Sequence, residues 1–188
     1  VYEGIIEKVE FPNKGIVPVP EEDRNVIVKN GIPGQKIRFC VNKFRKGQAE
    51  GRLLEVLEKS PLETREPVCG LFPACGGCMY QTMAYEEQIL MKTRQVKEIM
   101  DAAVEGDYVF EGVRKSPKEF AYRNKMEFSF GDEYKDGPLS LGLHKKGSTY
   151  DVLTASDCKL VHEDLTKILM CVLNHFKDLG ANYYKKMQ

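Results

Sequence analysis

Residues 69–78 have the sequence CGLFPACGGC, which places Cys69, Cys75 and Cys78 within ten positions of a 188-residue chain that has six cysteines. Two cysteines separated by a glycine pair can point at one centre, because glycine adopts backbone angles that are closed to other residues. Thiolates are soft ligands that select zinc or an iron–sulfur cluster, and either centre normally takes four ligands. The stretch therefore predicts a metal site that organises the second half of the chain.

The fourth ligand has three candidates, Cys40, Cys158 and Cys171. Cys171 falls in an apolar helical pattern, which predicts a buried structural thiol. Cys40 lies in the strand-rich first part of the chain, so we favour Cys158, which follows a predicted strand in a short loop that can bend back to the other cysteines. Structural zinc sites usually use two close pairs of ligands. Three close cysteines and one distant cysteine therefore favour a [4Fe-4S] cluster, with zinc, or thiols without a metal, as the alternatives.

Residues 1–58 predict short β-strands separated by glycine and proline turns. The clearest alternation runs over residues 35–44, where Ile37 and Phe39 would face a core while Cys40 and its alternate neighbours face solvent. Five short strands in fewer than sixty residues indicate a small β-barrel of the oligonucleotide-binding type. Residues 59–68, which are polar and contain two prolines, are the predicted linker.

Residues 69–188 predict an α+β domain. One long amphipathic helix is expected from Thr82 to Ala103, and a second one over residues 165–179. Between them, residues 121–130 and 139–144 alternate in polarity on either side of a turn, which predicts an antiparallel hairpin. The expected fold class is therefore an all-β barrel followed by an α+β domain with antiparallel strands and two amphipathic helices.

Basic side chains concentrate in the predicted barrel, although the formal net charge of the chain is zero. Residues 35–53 contain six of these basic residues and a single acidic residue, Glu50. Such a basic stripe can hold the phosphates of RNA. A solvated outer face is the alternative. A weaker basic feature follows in residues 121–130, where ion pairing with Glu127 is the ordinary explanation. The candidate RNA-binding residues are Lys36, Arg38, Lys43, Arg45, Lys46, Arg52, Arg123 and Lys125.

The remaining sequence excludes several classes of protein. Apolar residues make up 42% and charged residues 30% of the chain, as in ordinary globular proteins. No phosphate loop, dinucleotide-binding fingerprint or nucleophile motif occurs, so we assign no catalytic residue. The longest apolar stretches are too short for a membrane span, and the sequence does not open as a signal peptide. We therefore expect a cytoplasmic chain with no membrane partner, whose cysteines bind metal and form no disulfides.

The cysteine run continues as Met79, Tyr80 and Gln81, and it resembles the cluster motif of the bacterial 23S rRNA (uracil-5-)-methyltransferases. Residues 122–128 resemble the central-domain strand of that family, and residues 141–152 followed by Cys158 resemble the segment that brings its fourth cluster ligand. The first sixty residues resemble its TRAM domain. By this resemblance the chain divides into a TRAM-like barrel (1–58), a linker (59–68) and an incomplete iron–sulfur central domain (69–188).

The resemblance implies a [4Fe-4S] cluster held by Cys69, Cys75, Cys78 and Cys158, and RNA, specifically 23S rRNA, as the partner. We expect no DNA partner. It also implies a reaction in which a catalytic cysteine adds to C6 of a flipped-out uracil, after which C5 takes a methyl group from S-adenosylmethionine.

In the family, a following domain carries that cysteine and binds S-adenosylmethionine, so this chain alone would be inactive. One alternative function is a stand-alone RNA-binding module with a structural iron–sulfur or zinc site. The other is an iron–sulfur redox protein or a methylthiolating radical enzyme.

Overall fold

A computed structural model of the protein describes residues 1–45 and 48–184. Their contacts form two compact units, each made of two stretches of the chain. The first unit comprises Val1–Glu66 and Thr82–Lys115, and the second comprises Pro67–Gln81 and Ser116–Gln188. The predicted domains 1–58, 59–68 and 69–188 are each continuous in sequence, whereas each compact unit combines two separate stretches. The predicted limits therefore remain a prediction about domain organisation.

The first unit contains a curled six-stranded sheet. Its strands are β1 (Tyr2–Ile5), β2 (Lys8–Glu10), β3 (Lys14–Val19), β4 (Arg24–Lys29), β5 (Lys36–Arg45) and β6 (Gln48–Glu58), and a short 3-10 helix covers Pro20–Glu22. They lie in the order β1-β5-β6-β4-β3-β2, and all neighbours are antiparallel except β4 and β6, which are parallel. The predicted barrel of the oligonucleotide-binding type is confirmed.

The alternation that predicted β5 matches its burial. Ile37 and Phe39 are completely buried, as are Val26 and Val28 of β4. The ring of Phe39 stacks on that of Tyr2, with 5.8 Å between the ring centroids. Each large apolar side chain buried in this way stabilises the fold by about 1.5–3 kcal/mol relative to its exposed state.

The helix α1 (Tyr85–Ala103) belongs to the first unit, whereas the sequence placed it in the α+β domain. Two residues of its apolar stripe, Ile99 and Met100, are 44% and 36% exposed. The buried face instead contains Gln95, whose Nε2 donates a 2.7 Å hydrogen bond to the carbonyl oxygen of Val9 in β2. Apolar periodicity identified the helix, but this polar contact decides which face meets the sheet.

Glu63 holds the segment after β6 to two other parts of the first unit. Its carboxylate accepts hydrogen bonds from the Ser60 backbone N–H at 2.9 Å, the Gln35 side-chain amide at 2.7 Å and the Thr82 hydroxyl at 2.8 Å. Thr82 was expected to begin the long helix. Its hydroxyl instead bonds to Glu63, and α1 begins three residues later, at Tyr85.

The second unit is built on a three-stranded antiparallel sheet. Its strands β7 (Ser129–Asp132), β8 (Leu139–His144) and β9 (Val152–Thr154) lie in that order, and the helix α2 (Glu163–Asp178) packs against β8. The predicted hairpin and second helix are confirmed. The core of the unit includes a cluster formed by Leu141, Ala155, Leu169 and Leu173.

The strand predicted over residues 121–130 is shorter than expected, because β7 begins only at Ser129. Ala121 has a φ of +51°, a left-handed conformation that interrupts an extended strand. The segment after it runs beside residues 159–161, where the Ala121 N–H bonds to the Lys159 carbonyl and the Arg123 N–H bonds to the Leu160 carbonyl. Neither α1 nor α2, within the described part of the chain, combines the length and the apolar character that a membrane span requires.

Candidate metal centre

The four predicted ligand cysteines line one pocket of the second unit. Cys69, Cys75 and Cys78 reach it from the loop that precedes α1, and Cys158 reaches it from the connection between β9 and α2. Much of the remaining wall is apolar and includes Leu143. The structure therefore brings together the four cysteines that the sequence singled out.

The other two cysteines lie elsewhere. Cys40 is a partly exposed residue of β5 in the first unit. Cys171 was expected to be a buried structural thiol, and that prediction was wrong because its side chain is exposed on α2. The apolar residues around Cys171 in the sequence indicated a buried helix, but α2 is covered on one face only.

Backbone hydrogen bonds hold the cysteine loop against the end of β8. The Gly76 N–H donates to the His144 carbonyl at 3.0 Å, and the Lys146 N–H donates to the Ala74 carbonyl at 2.7 Å. Cys75 is thereby paired with Lys145 in an antiparallel bridge. The position of Cys75 is consequently tied to the sheet.

Cys158 is placed by the core of the second unit. It is partly buried and packs against the cluster formed by Leu141, Ala155, Leu169 and Leu173. The short connection after β9 therefore presents Cys158 to the pocket from a packed base, as the sequence predicted for a loop that bends back.

Gly77 and Gln81 make polar contacts with the cysteines of this loop. The Gly77 N–H donates a hydrogen bond to the Cys75 Sγ at a distance of 3.4 Å. Gln81 accepts a hydrogen bond from the Cys69 backbone N–H at 3.2 Å and also hydrogen-bonds the Cys78 thiol. Sequence reasoning missed this role of Gln81, although Gln81 belongs to the stretch that resembles the family motif.

Burial raises the pKa of the Cys75 and Cys78 thiols above the usual thiol value. The neighbouring thiols, including Cys69 and Cys158, add to the rise in both cases, because a second thiolate nearby would be repelled. The hydrogen bond from Gly77 lowers the pKa of Cys75, and the hydrogen bond with Gln81 lowers the pKa of Cys78. A metal that binds here must therefore displace protons from thiols that are neutral in its absence.

Lys146 brings a positive charge to the same loop. Its ammonium lies 5.7 Å from the centroid of the Phe72 ring, and burial lowers the pKa of Lys146, while Cys75 and Cys78 act to raise that pKa. The Lys146 charge in turn favours the thiolate form of Cys75.

The sulfur atoms do not converge on a single ion. Among the residues that the structure describes, no three His, Cys, Asp or Glu side chains form a group that could hold one metal ion. A single zinc ion would bring four sulfur atoms to roughly 3.8 Å from one another, because each Zn–S bond is about 2.3 Å long and the ligands are tetrahedral. The pocket thus has the donor chemistry of a thiolate site, although its described residues do not form a group that closes around one ion.

Carboxylates already pair with two of the predicted RNA-binding residues. The Lys36 ammonium lies 3.1 Å from Glu58, and the Arg38 guanidinium lies 2.9 Å from Glu3 and 2.6 Å from Glu55. The sequence indicated only Glu50 as an acidic neighbour, because the other three carboxylates come from β1 and the far end of β6. RNA phosphates would have to compete with these partners.

The other predicted RNA-binding residues are exposed where the structure describes them. Lys43 on β5 and Arg52 on β6 are exposed, as is Arg123. Lys125 forms a 3.1 Å ion pair with Glu127, in line with the ordinary explanation for that segment. The side chain of Arg45 and all of Lys46 lie outside the part of the chain that the structure describes. All eight RNA contacts therefore remain predictions.

Comparisons with known proteins relate this chain to a family. No family model matches the chain. Curated proteins described as uncharacterized RNA methyltransferases do match it, with 41% identity in Clostridium tetani, 39% in Caldanaerobacter subterraneus and 38% in Clostridium acetobutylicum. The alignments cover 99%, 96% and 99% of this chain, and the chain spans about 40% of the length of these relatives.

A solved structure shares the fold. The tRNA (uracil-54, C5)-methyltransferase of Pyrococcus abyssi, in complex with S-adenosyl-L-homocysteine, matches with a TM-score of 0.60 over 97% of this chain and 38% of that chain. At 19% identity this likeness shows the fold alone. A curled barrel with a small α+β unit is thus an architecture found within an RNA-modifying enzyme. The chain belongs to the family of RNA methyltransferases that the curated relatives represent, which confirms the resemblance drawn from the sequence.

Proposed function

We propose that this chain is the RNA-binding, [4Fe-4S]-carrying part of an S-adenosylmethionine-dependent RNA (uracil-5-)-methyltransferase. The most direct support is that four cysteines from two distant stretches line one pocket, in a chain related over 99% of its length to an RNA methyltransferase. The fold neighbour is named for methyl transfer to C5 of uracil, which supports the same reaction for the whole protein.

The donor set fits a cluster. Cys69, Cys75, Cys78 and Cys158 would be its ligands, and four thiolates are the usual ligand set of a [4Fe-4S] centre. Each cysteine of such a centre binds a different iron atom, so the sulfur atoms need not approach one another as closely as around one zinc ion. The N–H of Gly77, which already donates to the Cys75 sulfur, would help to offset thiolate charge.

The cluster would act in this chain as a cross-link. Methyl transfer from S-adenosylmethionine requires no redox step, whereas the four ligands would join the loop of residues 69–78 to the connection that follows β9. Such a link removes conformational freedom from the unfolded chain and so stabilises the folded second unit.

The barrel of the first unit is the proposed RNA-binding element, and 23S rRNA is the proposed substrate. Barrels of this type bind single-stranded oligonucleotides, and the exposed Lys43 and Arg52 are available for phosphates. The solved neighbour acts on tRNA, so tRNA is the substrate against which the preference for 23S rRNA has to be measured.

The proposed catalytic residue and the S-adenosylmethionine site lie in a domain beyond this chain. The described residues form a curled sheet and a small α+β unit, and they include no βαβ nucleotide-binding arrangement. The second candidate function, a stand-alone RNA-binding module, shares the barrel and the cysteine pocket. Sequencing the gene beyond Gln188 separates the two, because a following S-adenosylmethionine-binding domain supports the methyltransferase and a stop codon supports the module.

The cluster is tested by anaerobic reconstitution with iron and sulfide. We expect visible absorption typical of a cluster and about four iron atoms per chain. Cys75→Ser should lower the iron content, the thermal stability and the RNA affinity, whereas Cys171→Ser, at an exposed cysteine outside the pocket, should change none of them. Stoichiometric zinc without iron, or a Cys75→Ser variant with unchanged stability and RNA affinity, would contradict the proposed centre.

RNA recognition is tested by comparing the affinities of the reconstituted chain for a 23S rRNA fragment and for tRNA at several salt concentrations. We expect tighter binding to the rRNA fragment, with an affinity that falls as salt rises because counterions are released from phosphates. Binding to neither RNA would refute the proposed function. A preference for tRNA would refute the proposed substrate and retain the enzyme class.

A further inference from the structure

A second pocket opens on the barrel of the first unit. It is formed by β2, β3, β4 and the β5–β6 pair, with Arg24, Asn25, Phe44 and Gln48 among its lining residues. Its volume is about 390 Å³, within the range of small-ligand sites. Its base is apolar, since the other lining residues include buried isoleucines of β3 and β4.

An aromatic ring and a guanidinium meet at this pocket. The Cζ atom of Arg24 lies 4.8 Å from the centroid of the Phe44 ring, and Phe44 is 67% exposed. A large aromatic side chain gains nothing from exposure to water, so a stacking partner would stabilise it. Exposed aromatic rings and guanidinium planes are the surfaces on which proteins stack unpaired bases of RNA.

The charges of the pocket argue against a phosphate as its ligand. The Lys8 ammonium lies 2.8 Å from the Glu10 carboxylate, and the Arg24 guanidinium pairs with Glu22. Because both cations already have carboxylate partners, a second anion would gain little. A neutral, flat group that stacks on Phe44 disturbs neither ion pair.

Polar groups are available for the edge of such a ligand. The Nε–H of Arg24 is buried and meets no acceptor among the described residues, and a buried donor in that state costs free energy that a ligand could recover. The side-chain amides of Asn25 and Gln48 are exposed around the pocket. An amide both donates and accepts, as the edge of a base requires.

We propose that this pocket binds one unpaired nucleobase of an RNA strand, which stacks on Phe44 beside Arg24 and places its polar edge towards Asn25 and Gln48. The inference rests on the proposed RNA-binding function and adds to it a base-specific subsite distinct from the basic residues of β5 and β6. The subsite predicts that affinity depends on the presence of bases as well as on phosphate charge.

The test compares two ligands of equal charge, a twelve-nucleotide oligouridylate and a twelve-unit abasic ribose-phosphate oligomer. The chain should bind the oligouridylate roughly 5- to 150-fold more tightly, the range expected when one base stacks on an aromatic ring. Phe44→Leu should remove most of that ratio and leave the affinity for the abasic oligomer unchanged. Phe44→Tyr should retain the ratio, because a tyrosine ring also stacks.

Phe11→Leu is the matched control, because Phe11 is 54% exposed on the same unit and does not line the pocket. Its ratio should equal that of the unmodified chain. Equal affinities for the two oligomers, or a ratio that Phe44→Leu leaves intact, would overturn the nucleobase subsite while RNA binding through phosphates still stands. Failure to bind either oligomer, together with failure to bind 23S rRNA, would overturn the proposed function as well.

Discussion

At Cys75 and Cys78, protein environment and metal binding oppose each other. Burial and neighbouring thiols favour the protonated forms, whereas metal ligation requires thiolates. A pocket built in this way would keep its thiols neutral and unreactive until a metal binds, since the thiolate is the nucleophilic form. The Lys146 charge and the Gly77 N–H lessen the cost of deprotonation.

This opposition predicts a pH dependence of the metal-free chain. The folded protein holds the protons of Cys75 and Cys78 more tightly than the unfolded protein does, because the pKa values of both thiols are raised by burial first and by neighbouring thiols second. The stabilising contribution is therefore complete below the ordinary thiol pKa of about 8.5 and is lost as the pH rises through the raised values.

The measurement is urea unfolding of metal-free protein between neutral and alkaline pH. The loss of stability with pH should be smaller in a Cys75→Ser, Cys78→Ser double variant, because serine does not titrate in this range. Taking the difference between the two proteins removes the contribution of Lys92, whose pKa burial lowers and whose environment does not include the two cysteines. Identical pH profiles for the two proteins would contradict the assignment.

Glu63 gives a second prediction at the scale of one residue. Its carboxylate accepts three hydrogen bonds, from Ser60, Gln35 and Thr82. Glu63→Ala should lower the free energy of unfolding by about 2–3 kcal/mol, because hydrogen bonds to a charged acceptor are strong and their donors are left without it. Glu66→Ala, at an exposed neighbour, is the control and should change stability by less than about 0.5 kcal/mol in the same urea titration.

At the scale of elements, sequence patterns predicted what depends on periodicity and ligand chemistry. The period of two in β5 gave the buried Ile37 and Phe39, because alternate residues of a strand face opposite sides. The types and spacing of the cysteines predicted that Cys69, Cys75, Cys78 and Cys158 would lie together. The buried face of α1 was not predictable, since the contact between Gln95 and the Val9 carbonyl joins residues that only the fold brings together.

Cross-strand register explains why the charge environment was misjudged. Lys36 lies directly opposite Glu58, and Arg38 lies opposite both Glu55 and Glu3. These pairings depend on β-bulges in the β5–β6 ladder, whose positions a single sequence does not show. The Arg24–Phe44 pair was missed for the same reason, because its members lie on different strands.

The pairing of the cysteine loop with β8 leads to a prediction about two glycines. A Cβ atom on Gly76 would lie 3.0 Å from the backbone oxygen of His144, whereas one on Gly70 would have no neighbour within 4 Å. Gly76→Ala should therefore shift the loop, cost about 1–3 kcal/mol and reduce the iron retained after reconstitution. Gly70→Ala, in the same loop, should behave like the unmodified chain. Equal iron retention in the two variants would show that the β8 pairing does not position the ligands.

At the scale of the whole molecule, the two proposed activities are divided between the two units. The first unit contains the barrel and the proposed nucleobase pocket, and the second contains all four pocket cysteines. Each unit is discontinuous in sequence, so cutting the chain between the predicted domains would separate α1 from the barrel unit to which it belongs. The stabilities of the two units are therefore best compared within the intact chain.

Removal of iron from the reconstituted chain should therefore have a local effect. Amide hydrogen exchange should accelerate in residues 67–81 and in the connection between β9 and α2, because the cross-link between them is lost. Strands β3, β4 and β5 should keep their protection, since their hydrogen bonds and buried side chains belong to the first unit. Cys171→Ser should show the same pattern as the unmodified chain. Mass spectrometry of exchanged peptides measures this protection for each segment. Equal loss of protection in the barrel strands would contradict a local effect, because it would mean that the metal site stabilises the molecule as one cooperative structure.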